Sequence, residues 1–262
     1  MKRSLIAMVL VSIMMIPVNS KAQSKIYPKH FDLEEVTLLD GPMKTAMELN
    51  FKTLMQYDVD RLLTPYVRQS GLAATTDINS KYYQWEQKHP SFPNWGSGNF
   101  NLDGHVGGQY LTALSLAYAA CNSTSSSQVE MRAQLKERME YMIAVMKDCQ
   151  DKYDNNTEGL YGFIGGQPIN DSWKQLYKGS TEAIGRNWGW VPFYCQHKIL
   201  AGLRDAYIYG KNETAKELFR KLADWSVNVI AKVSDTDLHH CAATYQAKQE
   251  NTTSTTFSPA TF

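Results

Sequence analysis

The sequence predicts an all-α fold of the α/α-barrel, or helical-toroid, kind, and three observations carry that prediction. Apolar residues recur at helical spacing through successive stretches, with no competing period of two to signal a strand. Twice, an almost wholly apolar helix is followed across a short turn by an amphipathic one, the pairing expected when inner helices are wrapped by outer ones. Long loops rich in Gly, Pro and aromatics separate the pairs. Three hairpins are visible, about half of what a closed toroid needs, and an irregular helical bundle is the alternative that spacing alone leaves open.

The elements follow in order. Lys2 and Arg3 precede an apolar run from Leu5 to Val18, and Ser20-Lys21-Ala22 places small residues where a signal peptidase reads, so residues 1–22 are read as a secretory signal peptide. Its apolar stretch is too short to span a bilayer, and no membrane partner is expected. Asp40-Gly41-Pro42 reads as a helix start with Asp40 as N-cap, and Met43, Met47, Phe51 and Leu54 carry a helix over about 41–57. Val59, Leu62, Leu63 and Val67 mark a shorter helical stretch, interrupted at Pro65 and ended by Gly71. Residues 73–103 read as a long loop.

His105 to Cys121 reads as a buried helix, with Gly107 and Gly108 permitting close approach near its start. Ser127 with Glu130 reads as a capping box, and Met131, Leu135, Met139, Met142, Ile143 and Met146 then trace one apolar stripe. Residues 151–191 read as a second long loop. Phe193 to Tyr209 and Ala215 to Val233 make the next buried-then-amphipathic pair, joined by Gly210-Lys211-Asn212 with Asn212 as N-cap. From His239 the helical period vanishes, so 23–238 is read as the domain and 239–262 as a divergent, disordered tail. An unclosed toroid leaves apolar helix faces such as 106–118 uncovered, and self-association through them is expected.

Composition narrows the function. With 43% apolar, 20% charged and 11% aromatic residues, the chain is an ordinary globular protein. After removal of the leader it carries twenty-four basic and twenty-six acidic residues, a charge of −2, so no nucleic-acid partner is expected. Cys121, Cys149, Cys195 and Cys241 are too few for a disulfide scaffold, and Cys121 and Cys149 fall at far ends of successive helices, roughly 30 Å apart. No C-x-x-C or H-E-x-x-H occurs, and His239-His240-Cys241 reads as a solvated segment, so no metal site is expected in this stretch. No phosphate-binding motif is present: Gly104-His105-Val106-Gly107-Gly108 follows no strand and is not G-x-G-x-x-G.

Both loops set aromatics beside glycine: Tyr82, Tyr83, Trp85, Trp95 and Phe100 in one, Tyr161, Phe163, Trp173, Trp188 and Trp190 in the other. Flat rings stack on the apolar face of a sugar while Asp, Glu, Asn, His and Gln take its hydroxyls; the competing reading is that these rings plug the helical core. Glu86, Asp103, Glu158, Asp171 and Glu182 are candidate acids and bases, but spacing selects no pair among them. His105 and His197 both stand near helix starts. Five N-x-[ST] triplets, at Asn122, Asn155, Asn170, Asn212 and Asn251, need no glycan to account for them.

Five runs resemble a known family: Phe31 to Pro42 (FDLEEVTLLDGP), Asp60 to Leu63 (DRLL), Leu102 to Leu111 (LDGHVGGQYL), Gly162 to Gly166 (GFIGG) and His197 to Tyr207 (HKILAGLRDAY). In this order they look like the amino-terminal half of glycoside hydrolase family 127 and its relative family 146, β-L-arabinofuranosidases typical of gut Bacteroidetes. The resemblance covers about residues 28–238. It implies an (α/α)6 toroid of the six-hairpin glycosidase type, with about the first half present, acting with retention on terminal β-L-arabinofuranose of plant glycans from a periplasmic or secreted location.

In full-length members the resemblance implies a cysteine nucleophile held on zinc with further cysteines and a glutamate, and a second glutamate as acid/base. Those groups have no counterpart in this chain, which looks truncated or frameshifted after about residue 238 and is expected to be an inactive fragment, without catalytic residues, metal ligands or a cofactor of its own. The expected contacts with an arabinose-containing oligosaccharide are His105, His197, Gln69, Asp103 and Trp95. Gln109 departs from the histidine expected at its position in many relatives. The alternatives are a non-catalytic carbohydrate-binding remnant and, more distantly, an α/α-barrel polysaccharide lyase or sugar epimerase.

Overall fold

The computed structural model describes residues 31–93, 102–122, 125–153, 157–181 and 191–237. The stretch read as a leader, Trp95, Cys241 and the stretch read as a tail lie outside the described residues. The chain divides after Asp32, and the helices of the described residues belong to the unit that begins at Leu33. They are α1 (Pro42–Gln56), α2 (Val59–Gln69), α3 (Trp85–Lys88), α4 (His105–Ala120), α5 (Ser126–Asp151), α6 (Asn170–Tyr177), α7 (Pro192–Ile208) and α8 (Glu213–Ile230). Among the described residues there is no strand, and the fold is all-α as expected for a toroid glycosidase.

Most boundaries fall within two residues of the sequence reading, and the exceptions have physical causes. Gly41, not Asp40, is the N-cap of α1; the Asp40 carboxylate turns instead to Lys44, 2.7 Å away. Of the α1 stripe, Phe51 and Leu54 are buried while Met43 is exposed. Helix α2 runs unbroken through Pro65. The proline costs about 3 kcal/mol in a helix interior. Leu63, Tyr66 and Val67 around it are fully buried, each gaining about 1.5–3 kcal/mol by leaving water, which outweighs the cost. The Ser127/Glu130 capping box does not form, because α5 starts at Ser126 with Ser125 at the N-cap. Both long loops contain short helices, α3 in the first and α6 in the second.

Helices α4 and α7 lie side by side, with α5 covering α4 and α8 covering α7. Their contact is made by backbone: a Cβ on Gly108 would lie 2.4 Å from the Lys198 carbonyl, and one on Gly202 would lie 2.5 Å from the Gly108 oxygen. The Thr112 hydroxyl adds a bond to Asp205 across the same seam, at 2.9 Å. On α4, Leu111, Leu114 and Ala117 are buried, whereas Val106, Gln109, Ala113 and Leu116 form a stripe that is partly open to solvent. On α5, Leu135, Met139, Met142, Ile143 and Met146 are buried as the stripe predicts. Asn212 caps α8, its side-chain oxygen accepting from the Ala215 amide at 2.9 Å. No helix of the described residues is long and apolar enough to cross a membrane.

Candidate functional site

The C-terminal ends of α2 and α5 meet the N-terminal ends of α4 and α7; Gln69 closes α2, Asp103 and His105 stand at the start of α4, and His197 lies in the second turn of α7. The buried Tyr66 hydroxyl donates to the Gly104 carbonyl, tying α2 to the start of α4. Burial pushes that phenol far above its ordinary pKa, keeping it a neutral donor. The Tyr153 hydroxyl, at the end of α5, donates to the Gln69 carbonyl at 2.5 Å; burial raises it to about 12.

His105 opens α4, next to Gly104, whose φ of 96° no residue with a Cβ adopts comfortably. Its Nδ1 lies 2.5 Å from the Leu102 carbonyl oxygen. A carbonyl only accepts, so Nδ1 carries the proton in the neutral ring and Nε2 is left as an acceptor. Among the described residues Nε2 has no hydrogen-bond partner. The imidazole packs 5.9 Å from the Tyr194 ring, and His197 stands one turn beyond Tyr194 on the same exposed face of α7. The Lys198 ammonium lies 4.8 Å from the centre of the Tyr194 ring.

Asp103, buried, faces Arg68 at 3.3 Å. The same guanidinium holds Glu86 at 2.7 Å and the Ser91 hydroxyl at 3.3 Å. Two candidate carboxylates, Glu86 and Asp103, are thus joined on one cation that sequence reasoning missed. Glu158 and Asp171 pair with Lys178 and Lys174 instead, and Glu182 lies outside the described residues. Gln69 lines a cavity whose far wall is α6.

The stacking reading fails for most of the loop aromatics among the described residues. Phe163 and Trp173 are fully buried and pack with Trp225 at centroid distances of 4.7–6.2 Å. Tyr82 and Trp85 are buried too, donating to Asp148 and to Thr64. These rings plug the core; of the loop aromatics among the described residues, Tyr83 is partly exposed and Tyr161 half-exposed. Asn170 and Asn122 are likewise engaged, their amides holding Gln69 and the 33–36 segment.

The described cysteines do not fit a zinc-bound nucleophile. Cys121, Cys149 and Cys195 are free and buried. Burial raises all three thiols, Cys149 and Cys195 to about 12, so each is a neutral thiol as it stands. One grouping of ligand-type side chains has its donor atoms within 4.8 Å of one another among the described residues, Asp58, Asp60 and His89, and it contains no cysteine.

A family model described as the β-L-arabinofuranosidase, glycoside hydrolase family 127, catalytic domain matches residues 35–253, most of the chain. The match runs on past residue 238, the end of the stretch that the resemblance covers. No curated protein matches.

Proposed function

From the premise that the chain belongs to the β-L-arabinofuranosidase family 127 of glycoside hydrolases, we propose that its α2–α4–α7 end binds terminal β-L-arabinofuranose of arabinose-containing plant glycans. The observation that carries this reading is the His105 imidazole. Its tautomer is set by the Leu102 carbonyl, its Nε2 is open to a sugar hydroxyl, and it stands at the same end of the helices as His197, Gln69 and Asp103. His105 accepts from a ring hydroxyl, His197 and Gln69 contact the ring from α7 and α2, and Asp103, held by Arg68, positions the His105 turn.

Hydrolysis with retention needs a nucleophile and an acid/base beside one anomeric carbon. The described thiols are neutral and buried, and the carboxylates nearest the site are spent on Arg68. We therefore assign to the described residues sugar recognition rather than bond cleavage, in a protein exported to the periplasm or beyond. The test is calorimetric binding of L-arabinose, together with turnover of p-nitrophenyl β-L-arabinofuranoside under reducing conditions with zinc. The chain should bind, and His105→Ala should weaken binding about tenfold, near the 1.4 kcal/mol of one hydrogen bond. Unchanged affinity in that variant would overturn the assignment of His105. Turnover abolished by Cys195→Ser would overturn the assignment of recognition alone.

A further inference from the structure

Asp58, Asp60 and His89 converge on the start of α2, each offering one ligand-type atom within 4.8 Å of the other two. Sequence motifs give no sign of this, because His89 follows α3 and is brought back to α2 only by folding. The imidazole is held from behind. The buried Thr64 hydroxyl accepts from the Trp85 indole at 3.0 Å and donates to the His89 carbonyl at 2.6 Å. The Trp85 ring centre lies 4.9 Å from that of the imidazole, and Arg61 donates to the next carbonyl, that of Pro90, at 2.7 Å. On the other side, Tyr141 from α5 donates to Asp60 Oδ1 at 2.6 Å, which leaves Asp60 Oδ2 facing His89. Asp58 Oδ1 caps α2, accepting from the Asp60 and Arg61 amides at 3.1 and 3.4 Å, while its Oδ2 has no partner among the described residues.

The spacing is that of ligands rather than of a hydrogen-bonded pair. His89 Nδ1 and Asp60 Oδ2 are 3.6 Å apart, beyond hydrogen-bond reach. Donor atoms placed tetrahedrally around zinc at about 2.0–2.2 Å lie about 3.3–3.6 Å from one another. The charge agrees with the spacing. Asp40, Asp148, Asp151, Asp171 and Asp205 each pair with a lysine or arginine, whereas among the described residues neither Asp58 nor Asp60 does. The start of α2 supplies only about half a positive charge, so the two carboxylates leave an excess that a divalent cation cancels. The imidazole nitrogen selects among such cations: it favours zinc over calcium and magnesium, which take oxygen ligands.

We propose that Asp58, Asp60 and His89 bind one zinc ion, with water in the fourth position, and that the ion fastens the segment after α3 to the start of α2. The donors are Asp58 Oδ2, Asp60 Oδ2 and His89 Nδ1. The site stands at the opposite end of α2 from Gln69, with the eleven residues of the helix, about 16 Å, between them. The ion is therefore a structural clip that takes no part in the sugar contact proposed above, and the inference stands whether or not that reading does.

Calorimetry with zinc chloride on the full chain, reduced and without sugar, should show one ion bound. Asp60→Asn keeps the side-chain shape and an acceptor for Tyr141 while removing the charge; it should weaken zinc about tenfold or more with helicity by circular dichroism unchanged. His89→Ala should weaken it at least as much. The triple variant His239→Ala/His240→Ala/Cys241→Ala, which removes the other ligand-type run in the sequence, should bind within about twofold of the parent. Zinc at one hundred times its Kd should raise Tm by about 5–10 °C, and the same concentration should raise that of Asp60→Asn by about half as much or less. Cobalt(II) in place of zinc should show visible bands without the near-ultraviolet charge-transfer band of a thiolate ligand. No zinc bound by the parent chain, unchanged affinity in Asp60→Asn, binding lost in the triple variant, or a thiolate band would each overturn the site. Calcium or magnesium bound more tightly than zinc would overturn the choice of metal.

Discussion

Gly108→Ala probes whether the α4–α7 seam is as tight as the backbone contact implies. The added methyl would sit 2.4 Å from the Lys198 carbonyl carbon and oxygen and 2.7 Å from the Ile199 nitrogen. All three are backbone atoms of a helix, with no flexible side chain to swing aside. Ordinary contact begins at 3.4 Å, so α7 must retreat by about 1 Å. Leu111, Ile199 and Leu203 on this seam are fully buried, and a gap of that size forfeits a quarter to a half of their contact energy, about 2 kcal/mol together. Overpacking strain adds about 1–3 kcal/mol, while alanine returns about 1 kcal/mol in helix propensity. The expected net loss is about 2–4 kcal/mol, a fall in Tm of roughly 5–15 °C. Thermal unfolding followed by circular dichroism at 222 nm measures it. A Tm equal to or above that of the parent would mean that propensity decides the sign, and would refute a seam closed by glycine. Gly202→Ala should act in the same direction, and the double variant should lose less than the sum because one separation of the helices relieves both clashes.

Other outcomes follow from single contacts. Iodoacetamide at pH 8 should leave Cys121, Cys149 and Cys195 unmodified in peptide maps of the native chain and alkylate them in denaturant; modification of native Cys195 would contradict its burial. Burial alone would raise Asp148, but Lys81 and Tyr82 hold its carboxyl below the ordinary value. A lowered folded pKa stabilises above the unfolded value, about 3.9, and that stability is lost as pH falls through the folded one. Asp148→Asn should therefore lower the urea midpoint at pH 7 and lose its effect in strong acid; a difference independent of pH would show that the charge is immaterial. Asn212→Ala should cost about 1 kcal/mol by removing the cap of α8, and Asn212→Asp should restore it, as read by Tm.

The long helices were legible because their apolar stripes repeat over three turns or more. Helix α6 was not: at eight residues it is too short for periodicity to stand out, and its start, Asn170-Asp171-Ser172, is equally good turn sequence. The cap of α5 was ambiguous for a similar reason, since Ser125, Ser126 and Ser127 are interchangeable in sequence. At the site, the histidine and the carboxylate came with their glycine-bearing run, whereas Arg68 carried no local signal. Its partners Glu86 and Asp103 are eighteen and thirty-five residues away, joined to it only by tertiary folding. Tyr194 was within reach, because it precedes His197 by one turn on the same face. The aromatic loops left stacking and core packing both open, because a ring's role depends on burial, which composition does not report.

The two glycine-bearing runs explain how side-chain positions at this end are set. Gly104 and Gly166 exclude each other's Cβ, with 3.1 Å and 2.8 Å left to the facing backbone nitrogens. Gly107 leaves a hypothetical Cβ only 2.7 Å from the Tyr66 hydroxyl oxygen. Between these contacts the chain has room for one path, and Asp103 and His105 project from it. Their placement is therefore fixed by backbone packed on backbone, which is stiffer than side-chain packing and needs no rotamer to be chosen. On the proposed reading, a sugar hydroxyl meeting the imidazole would find it already held by the Leu102 carbonyl on one side and the helix start on the other. Little ordering would then remain to be done on binding, and the glycines would serve the proposed recognition without touching the ligand.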